Sequence, residues 1–433
     1  MKINYSIIFI IPLALIMFMD NMFMELSAPS NPDAQTNLLS LMVKGMAVIS
    51  FVYSALYFTR MSPVMRVAFV LTTLYVFAMV FESYYYYNTP MVYPHVFQKL
   101  FLFYFAFFVY TFYKGNFHLK FSHVVWFILG GFWLSVLVVH PDKLSLGAFT
   151  SHERGVHCSS VYMLVIPFIY FLSKYIFHGK FISLFAAFFI LVSIVFFQHR
   201  TVWISTALVL AIYYLLIRFK SAFSINFLGK FLPIGIVLLI AGIASSAFLF
   251  STHPEIITKI EESFSDIENF DSQGTGGWRY IQWMSYLPFI QDHWLVGMRF
   301  EGFELPIQFW RDDTNEPVFD DGAGHHFHSF YVDILFYTGF VGLAIYSIMP
   351  IYAIVKGLRS KAMTVHQIIL VAFISTGFVY GFSYVLPVFY YGVLGWTIVV
   401  MEEEKTERSS YLRSFGARWK AKAVGQYRKL TAA

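Results

Sequence analysis

Apolar residues in this chain fall in blocks of roughly 17–23, separated by short polar links, and that spacing excludes most folds at once. A block of that length crosses a hydrocarbon core of about 30 Å, and inside lipid only helices and closed barrels satisfy their own backbone. The blocks are continuous and do not alternate with polar residues, so they predict helices. Twelve spans are expected, at 4–24, 38–59, 65–84, 96–113, 121–140, 157–173, 181–198, 201–218, 231–250, 328–350, 364–383 and 385–401. Composition agrees. Only 13% of the 433 residues are charged and mean hydropathy is +0.63, too little charge to cover a soluble protein of this size. The expected fold is therefore an all-α polytopic membrane protein. Its first span follows Lys2 without a small-residue cleavage site, which reads as an anchor and not a removed signal peptide.

The links alternate in charge. Lys2; Arg60 and Arg66; Lys114 and Lys120; Lys174 and Lys180; Arg218, Lys220 and Lys230; Lys356, Arg359 and Lys361; and the tail from Lys405 to Lys429 all fall on one side. By the positive-inside rule that side is the cytoplasm, and it holds both termini. The other side has one long link, 251–327, which carries 14 of the 25 acidic residues. The organisation expected is nine spans in 1–250, an outer loop at 251–327, three spans in 328–401 and a basic tail at 402–433. Tyr411, Phe415 and Trp419 stand among the tail's bases, so it reads as a stop-transfer tail or as a helix on anionic lipid. With its positive charge spread along membrane-flanking links, the chain points to membrane lipids and not to nucleic acid as a partner. Cys158 is the only cysteine, which excludes an intrachain disulfide and a CxxC site.

Chemistry-bearing residues collect on the outer side. Arg154 lies in "SHERGVHCSSVYML", Arg200 in the short hairpin "FFQHRTVWIS", and Arg279 in "GTGGWRYIQWMSYL" of the long loop. An arginine in so short a hairpin sits at interface depth, where an unpaired charge is expensive; snorkelling to lipid phosphate or pairing with an acid is the bland alternative. His325, His326 and His328 in "DDGAGHHFHSFYVDILFYTGF" close the loop just before the tenth span. Imidazole suits proton removal from a hydroxyl near neutral pH, so a general base is one reading. A cap on the tenth span is another, and a metal site using His325, His328 and Asp320 or Asp321 is a third.

Four of these stretches together resemble the O-antigen ligase and O-antigen polymerase superfamily. "HSFYVDILFYTGFVGL" is similar to its His-Asn-x-x-Leu…Gly-x-x-Gly-Leu pattern, with Ser329 where the family has Asn. "QHRTVWIS" resembles its Ser-Arg-Thr hairpin, with His199 at the serine. "ERGVHCSSVYMLVIPF" resembles an earlier Arg motif, and "GWRYIQWMSYLPFIQDHWLVGMRFEGF" its Arg-x-x-x-Trp…Pro-x-x-Gly-x-Gly stretch. Aligning on Gly339 and Gly342 makes His328 the family histidine.

The resemblance implies a GT-C-like helical fold in the bacterial inner membrane, with a long periplasmic loop between the ninth and tenth helices and the site facing the periplasm. It implies an inverting, metal-independent glycosyltransferase without a cofactor, using undecaprenyl-diphosphate-linked oligosaccharide. Acceptors would be a second lipid-linked repeat unit, for a polymerase of O-antigen or exopolysaccharide, or lipid A core, for a ligase; a chain-length regulator is a further partner. His328, with His325 and His326 beside it, would supply the base. Arg154, Arg200 and Arg279 would hold the diphosphate, and Trp283, like Trp278 and Tyr280, could stack on sugar, although packing of a loop helix onto the bilayer fits these aromatics better. A secondary transporter or flippase is the reading from another class, with Lys44 in the second span as its intramembrane cation, unless Lys44 pairs with Glu82.

Overall fold

The computed structural model describes residues 5–27, 32–115, 118–145, 155–221, 229–230, 232–236, 240, 274–301 and 327–403. Among them the regular structure is helical, and the one β-like contact is an isolated bridge between Ser221 and Met363. A 3-10 turn, Tyr5–Ile10, leads into α1 (Ile11–Met17) and α2 (Asn21–Ser27). Then come α3 (Pro32–Leu56), α4 (Pro63–Tyr87), α5 (Pro94–Tyr113) and α6 (Phe121–Val138). α7 (Cys158–His178), α8 (Phe181–Phe196) and α9 (Arg200–Lys220) follow. The last four are α10 (Gly274–Asp292), α11 (Phe330–Arg359), α12 (Val365–Ser383) and α13 (Val388–Glu403).

Eight of these helices are long and apolar enough to cross a membrane, and α1 with α2 makes a bent ninth. The chain is thus an all-α polytopic membrane protein. α8 and α13, of 16 residues each, occupy the seventh and twelfth expected spans. The ninth expected span, 231–250, falls mostly outside the described residues.

Local sequence sets the ends. Proline stands in the first turn of α4 and of α5, where its missing N–H costs nothing. Asn88 and Gly179, both left-handed, stop α4 and α7. Thr364 and Gln367 form a capping box on α12, and the Gln367 amide also donates to Val400 O at 2.9 Å, tying α12 to α13. The buried centre joins α5, α12 and α13. Small residues permit close approach there: a methyl at Gly395 would strike the Ala106 carbonyl, and one at Gly377 the Tyr390 ring.

Two sequence expectations change. The first span is not one straight helix: α1 and α2 meet at 91° around Asp20. Asp20 Oδ1 accepts from Met22 N at 3.3 Å and its backbone carbonyl from Phe23 N at 3.0 Å, so a single acid ends one helix and caps the next. A hydropathy window averages over one polar residue and misses the break. Nor does Glu82 meet Lys44. It takes a 2.7 Å bond from Arg299 Nε, while Lys44 is exposed on α3.

Links with like charge assignments gather at one end of the bundle. There Glu402 accepts from Lys114 at 2.6 Å and from the Tyr110 and Tyr352 hydroxyls at 2.7 Å each, and Glu403 meets Lys114 at 2.7 Å. Burial disfavours the Lys114 charge, but the bonds to Glu402 and Glu403 outweigh it and push the ammonium pKa up. The cluster closes that end by joining α5, α11 and α13.

Candidate functional site

At the other end, the α1–α2 break, the start of α7, the α8–α9 hairpin, the start of α11 and the α12–α13 link border an open cavity of about 790 Å³. Asp20, His157, His199, His328, Tyr380 and Tyr384 line it. Gly155, Val156, His199, Phe327 and Tyr384 of the lining lie in or beside links that the charge pattern sets on the outer side, and residues within the helices, among them Leu39 of α3 and Leu102 of α5, complete it. A concave site with a few convergent polar groups is the default place for binding or chemistry.

His328 enters the cavity from the start of α11. Ser329 is the N-cap: its hydroxyl accepts from Val332 N and donates to Gly381 O at 3.3 Å, and it is 1% exposed. His328 therefore lies one residue outside the helix and not in its first turn, which corrects the expected start at 328. Its mount is still rigid, because the residues on either side are fixed. Phe327 is buried edge-on to the Tyr286 ring, centroids 4.6 Å apart. Serine and asparagine both cap helix N-termini well, so Ser329 keeps the physical role of the asparagine in the resembled pattern.

α10 delivers the arginine. One face of it carries Arg279, Trp283 and Tyr286, spaced by about one helical turn. Tyr286 packs on Phe327, Trp283 lies against Phe382 at 6.4 Å, and the Arg279 guanidinium stands 5.1 Å from the Tyr384 ring centroid. These three contacts seat the helix along the α11 and α12 ends and bring Arg279 to a ring that lines the cavity. Trp283 packs beside the cavity and is not in its lining.

The segment after α10 is locked into a break in α11. Gly339 has φ 58° and ψ −161°, a conformation open to glycine alone, and it interrupts the helix. Residues 294–299 fill the interruption. Met298 N donates to Phe336 O at 2.7 Å and Arg299 N to Tyr337 O at 3.1 Å; Phe340 N donates to Trp294 O at 2.9 Å and Val341 N to Leu295 O at 3.0 Å. The Tyr75 hydroxyl of α4 donates to Thr338 O at 3.2 Å. Every backbone group opened by the kink that these bonds reach is thereby satisfied, the condition for irregular backbone at membrane depth. Gly297, at φ 73°, faces Gly339 so closely that a methyl on either would lie 2.5 Å from the other strand's backbone. The two glycine motifs quoted above are halves of one clamp.

Below the mount, Lys99 of α5 forms an ion pair with Asp333 of α11, which is 3% exposed, and the ammonium also stands 4.9 Å from the Tyr337 ring. Asp333 lies in the first turn of α11, where a carboxylate suits the helix dipole.

Arg200 is the first residue of α9 and half-buried; its neighbour His199, 4% exposed, lines the cavity and bonds Val156 O at 2.7 Å. Arg154, His325 and His326 lie outside the described residues, as do Asp320 and Asp321 of the metal reading. Gly155 and Val156, next to Arg154, do line the cavity.

Sequence reasoning missed Asp20, Glu25, His140 and His157. Asp20 also accepts from Ser160 Oγ at 2.5 Å, and Glu25 bridges His140 at 2.9 Å and His157 at 3.4 Å. The signal was present: Asp20 stands in an otherwise apolar first block and Glu25 just past its end, and ionisable residues at membrane depth are functional by default.

No curated protein matches the chain. A family model described as O-Antigen ligase matches residues 185–347, the stretch that holds the α8–α9 hairpin, α10, the glycine clamp and the His328 mount. That match, over the segments that build one side of the cavity in a polytopic helical bundle, supports an O-antigen ligase/polymerase superfamily assignment.

Proposed function

We propose that the protein is an inverting membrane glycosyltransferase that moves glycan from undecaprenyl diphosphate to an acceptor hydroxyl in this cavity, at the periplasmic face. The observation that carries the reading is that His328 and Tyr384, the ring under Arg279, line one cavity, and that the family match spans both His328 and Arg279. Diphosphate is a good leaving group, so the reaction needs little acid assistance. It needs cations where charge develops, and arginine's planar fork suits phosphate. It also needs a base for the attacking hydroxyl, within the capacity of a neutral imidazole.

In this scheme His328 takes the proton of the acceptor hydroxyl as its oxygen bonds to the anomeric carbon. The bond from that carbon to the diphosphate oxygen breaks, and Arg279 and Arg200, with Arg154, balance the negative charge released. His325 and His326 stand close in sequence and assist without replacing it. The diphosphate needs no resident metal when guanidinium groups neutralise it. Polymerisation of lipid-linked repeat units is the favoured outcome, since the departures from the family pattern at Ser329 and in "GMRFEGF" fit a divergent member; transfer to lipid A core is the second reading.

Reconstitution tests this directly. The purified protein in proteoliposomes is given lipid-linked repeat units, with or without lipid A core. A ladder of polymer still attached to the carrier supports polymerase, and core-linked glycan supports ligase. No glycan transfer to either acceptor defeats the proposal.

A further inference from the structure

We propose that Asp20 and His157, the latter held by Glu25, form the acceptor subsite of the cavity and bind hydroxyl groups of a neutral sugar. This deepens the glycosyltransferase reading and rests on it. Both residues lie outside the segment matched by the family model, and both line the cavity that His328 enters.

Asp20 is 4% exposed, at a right-angled break between two helices in a lipid-embedded bundle. A cap explains one acceptor oxygen there, but not an acid: asparagine caps a helix equally well. What a carboxylate adds is a strong acceptor for more than one hydroxyl donor. Asp20 already takes the Ser160 hydroxyl and the Met22 amide, which fixes its orientation on the cavity side.

Glu25 does similar work one turn along α2. It is 8% exposed and bridges two imidazoles, His140 at 2.9 Å and His157 at 3.4 Å. His140 lies beyond α6, so the bridge ties that end to α2, while the His157 side chain remains 57% exposed. A carboxylate behind an imidazole sets its ring orientation and leaves the other ring nitrogen for a ligand.

Charge separates the two substrates. Asp20 and His157, with Glu25 behind it, lie on the α1–α2 side of the cavity, whereas Arg279 stands over Tyr384 on the α12–α13 side. The anionic donor is steered to the arginines. Uncharged sugar hydroxyls, which donate hydrogen bonds, suit the carboxylate and imidazole.

The test uses the full-length protein in detergent and measures binding, so it does not depend on turnover. The probes are carrier-free oligosaccharides released from the host's surface polysaccharide and from its lipid A core, and undecaprenyl diphosphate. Asp20→Asn is expected to weaken binding of one oligosaccharide about tenfold, with the undecaprenyl diphosphate affinity within about twofold of wild type. Asn keeps the cap, so the melting temperature should hold; Glu25→Gln, which leaves the break untouched, should give the same pattern and carries the test if Asp20→Asn is unstable. Unchanged oligosaccharide affinity in both variants overturns the subsite, as does a wild type that binds no oligosaccharide or an equal loss of diphosphate affinity. If oligosaccharide binding depends on Asp20 yet the wild type transfers no glycan, the subsite stands and the transferase reading falls. If transfer requires His328 while Asp20→Asn and Glu25→Gln bind normally, the reverse holds.

Discussion

Replacing Gly339 by alanine should unlock the clamp that seats α10, and two contributions set the size of the effect. The backbone at φ 58° and ψ −161° is glycine territory, and forcing alanine into it costs about 1–3 kcal/mol. The new methyl would also lie 2.5 Å from the Leu295 carbonyl carbon and oxygen, which are backbone atoms and cannot rotate aside. Relief requires the 294–299 segment to retreat, and that breaks the bonds from Phe340 N to Trp294 O and from Val341 N to Leu295 O. Each is worth about 0.5–1.5 kcal/mol, so the expected destabilisation is about 2–6 kcal/mol. Gly130→Ala is the control, because nothing lies within 4 Å of that position on α6 and alanine is the better helix former by about 1 kcal/mol. Thermal unfolding in detergent, followed by circular dichroism, should show Gly339→Ala melting well below wild type and Gly130→Ala at or above it. Gly339→Ala melting with the wild type would refute the clamp.

Other outcomes follow from the same geometry. Arg200→Lys keeps the charge but loses the bidentate fork, so transfer should fall, and Arg200→Ala should cost about 2–4 kcal/mol of transition-state stabilisation by analogy with loss of an oxyanion-hole donor; full kcat/KM in Arg200→Ala at normal protein level would reduce it to an anchor. Lys99→Met leaves Asp333 buried without its ion pair and should destabilise the protein by about 3–5 kcal/mol, while the Lys99→Met/Asp333→Leu double variant should recover much of that in the same melt; equal melting of the two variants would remove the pair's structural role. For orientation, in a Cys158→Ser background, Ser265→Cys and Asn315→Cys should react with an impermeant thiol reagent on intact cells, and Ile225→Cys and Ser410→Cys only after permeabilisation. Labelling of Ile225→Cys in intact cells would invert the topology.

Particular residues show what was legible in the sequence. Helix positions were, because a span of lipid thickness must be apolar throughout and proline and asparagine mark its ends, as at Pro63 and Asn88. His328 and Arg279 were singled out by motif order; His328 lines the cavity, and Arg279 stands beside Tyr384, a ring of that lining. The reason for the glycines was not. Gly297 and Gly339 matter to each other, and a one-dimensional pattern records two small residues without their mutual approach. Asp20 was hidden by averaging, since one acid hardly alters the hydropathy of a twenty-residue block. Lys44 and Glu82 were mispaired because sequence does not give direction around a helix: Lys44 is exposed on α3, and Glu82 turns to Arg299. For Trp283 the sequence left sugar stacking and helix packing both open, and its ring lies against Phe382.

The central claim is that His328 is the base of a transfer that uses no metal, and one measurement tests it most directly. Wild type and His328→Ala, purified to equal yield and melting temperature, are given the lipid-linked repeat unit in proteoliposomes, with and without excess EDTA, across a range of pH. The account predicts that His328→Ala abolishes transfer and that the wild-type rate falls toward acid pH, where a protonated imidazole no longer accepts a proton. EDTA should change neither result. Transfer by His328→Ala at the wild-type rate, or loss of wild-type activity in EDTA restored by one divalent ion, would contradict it.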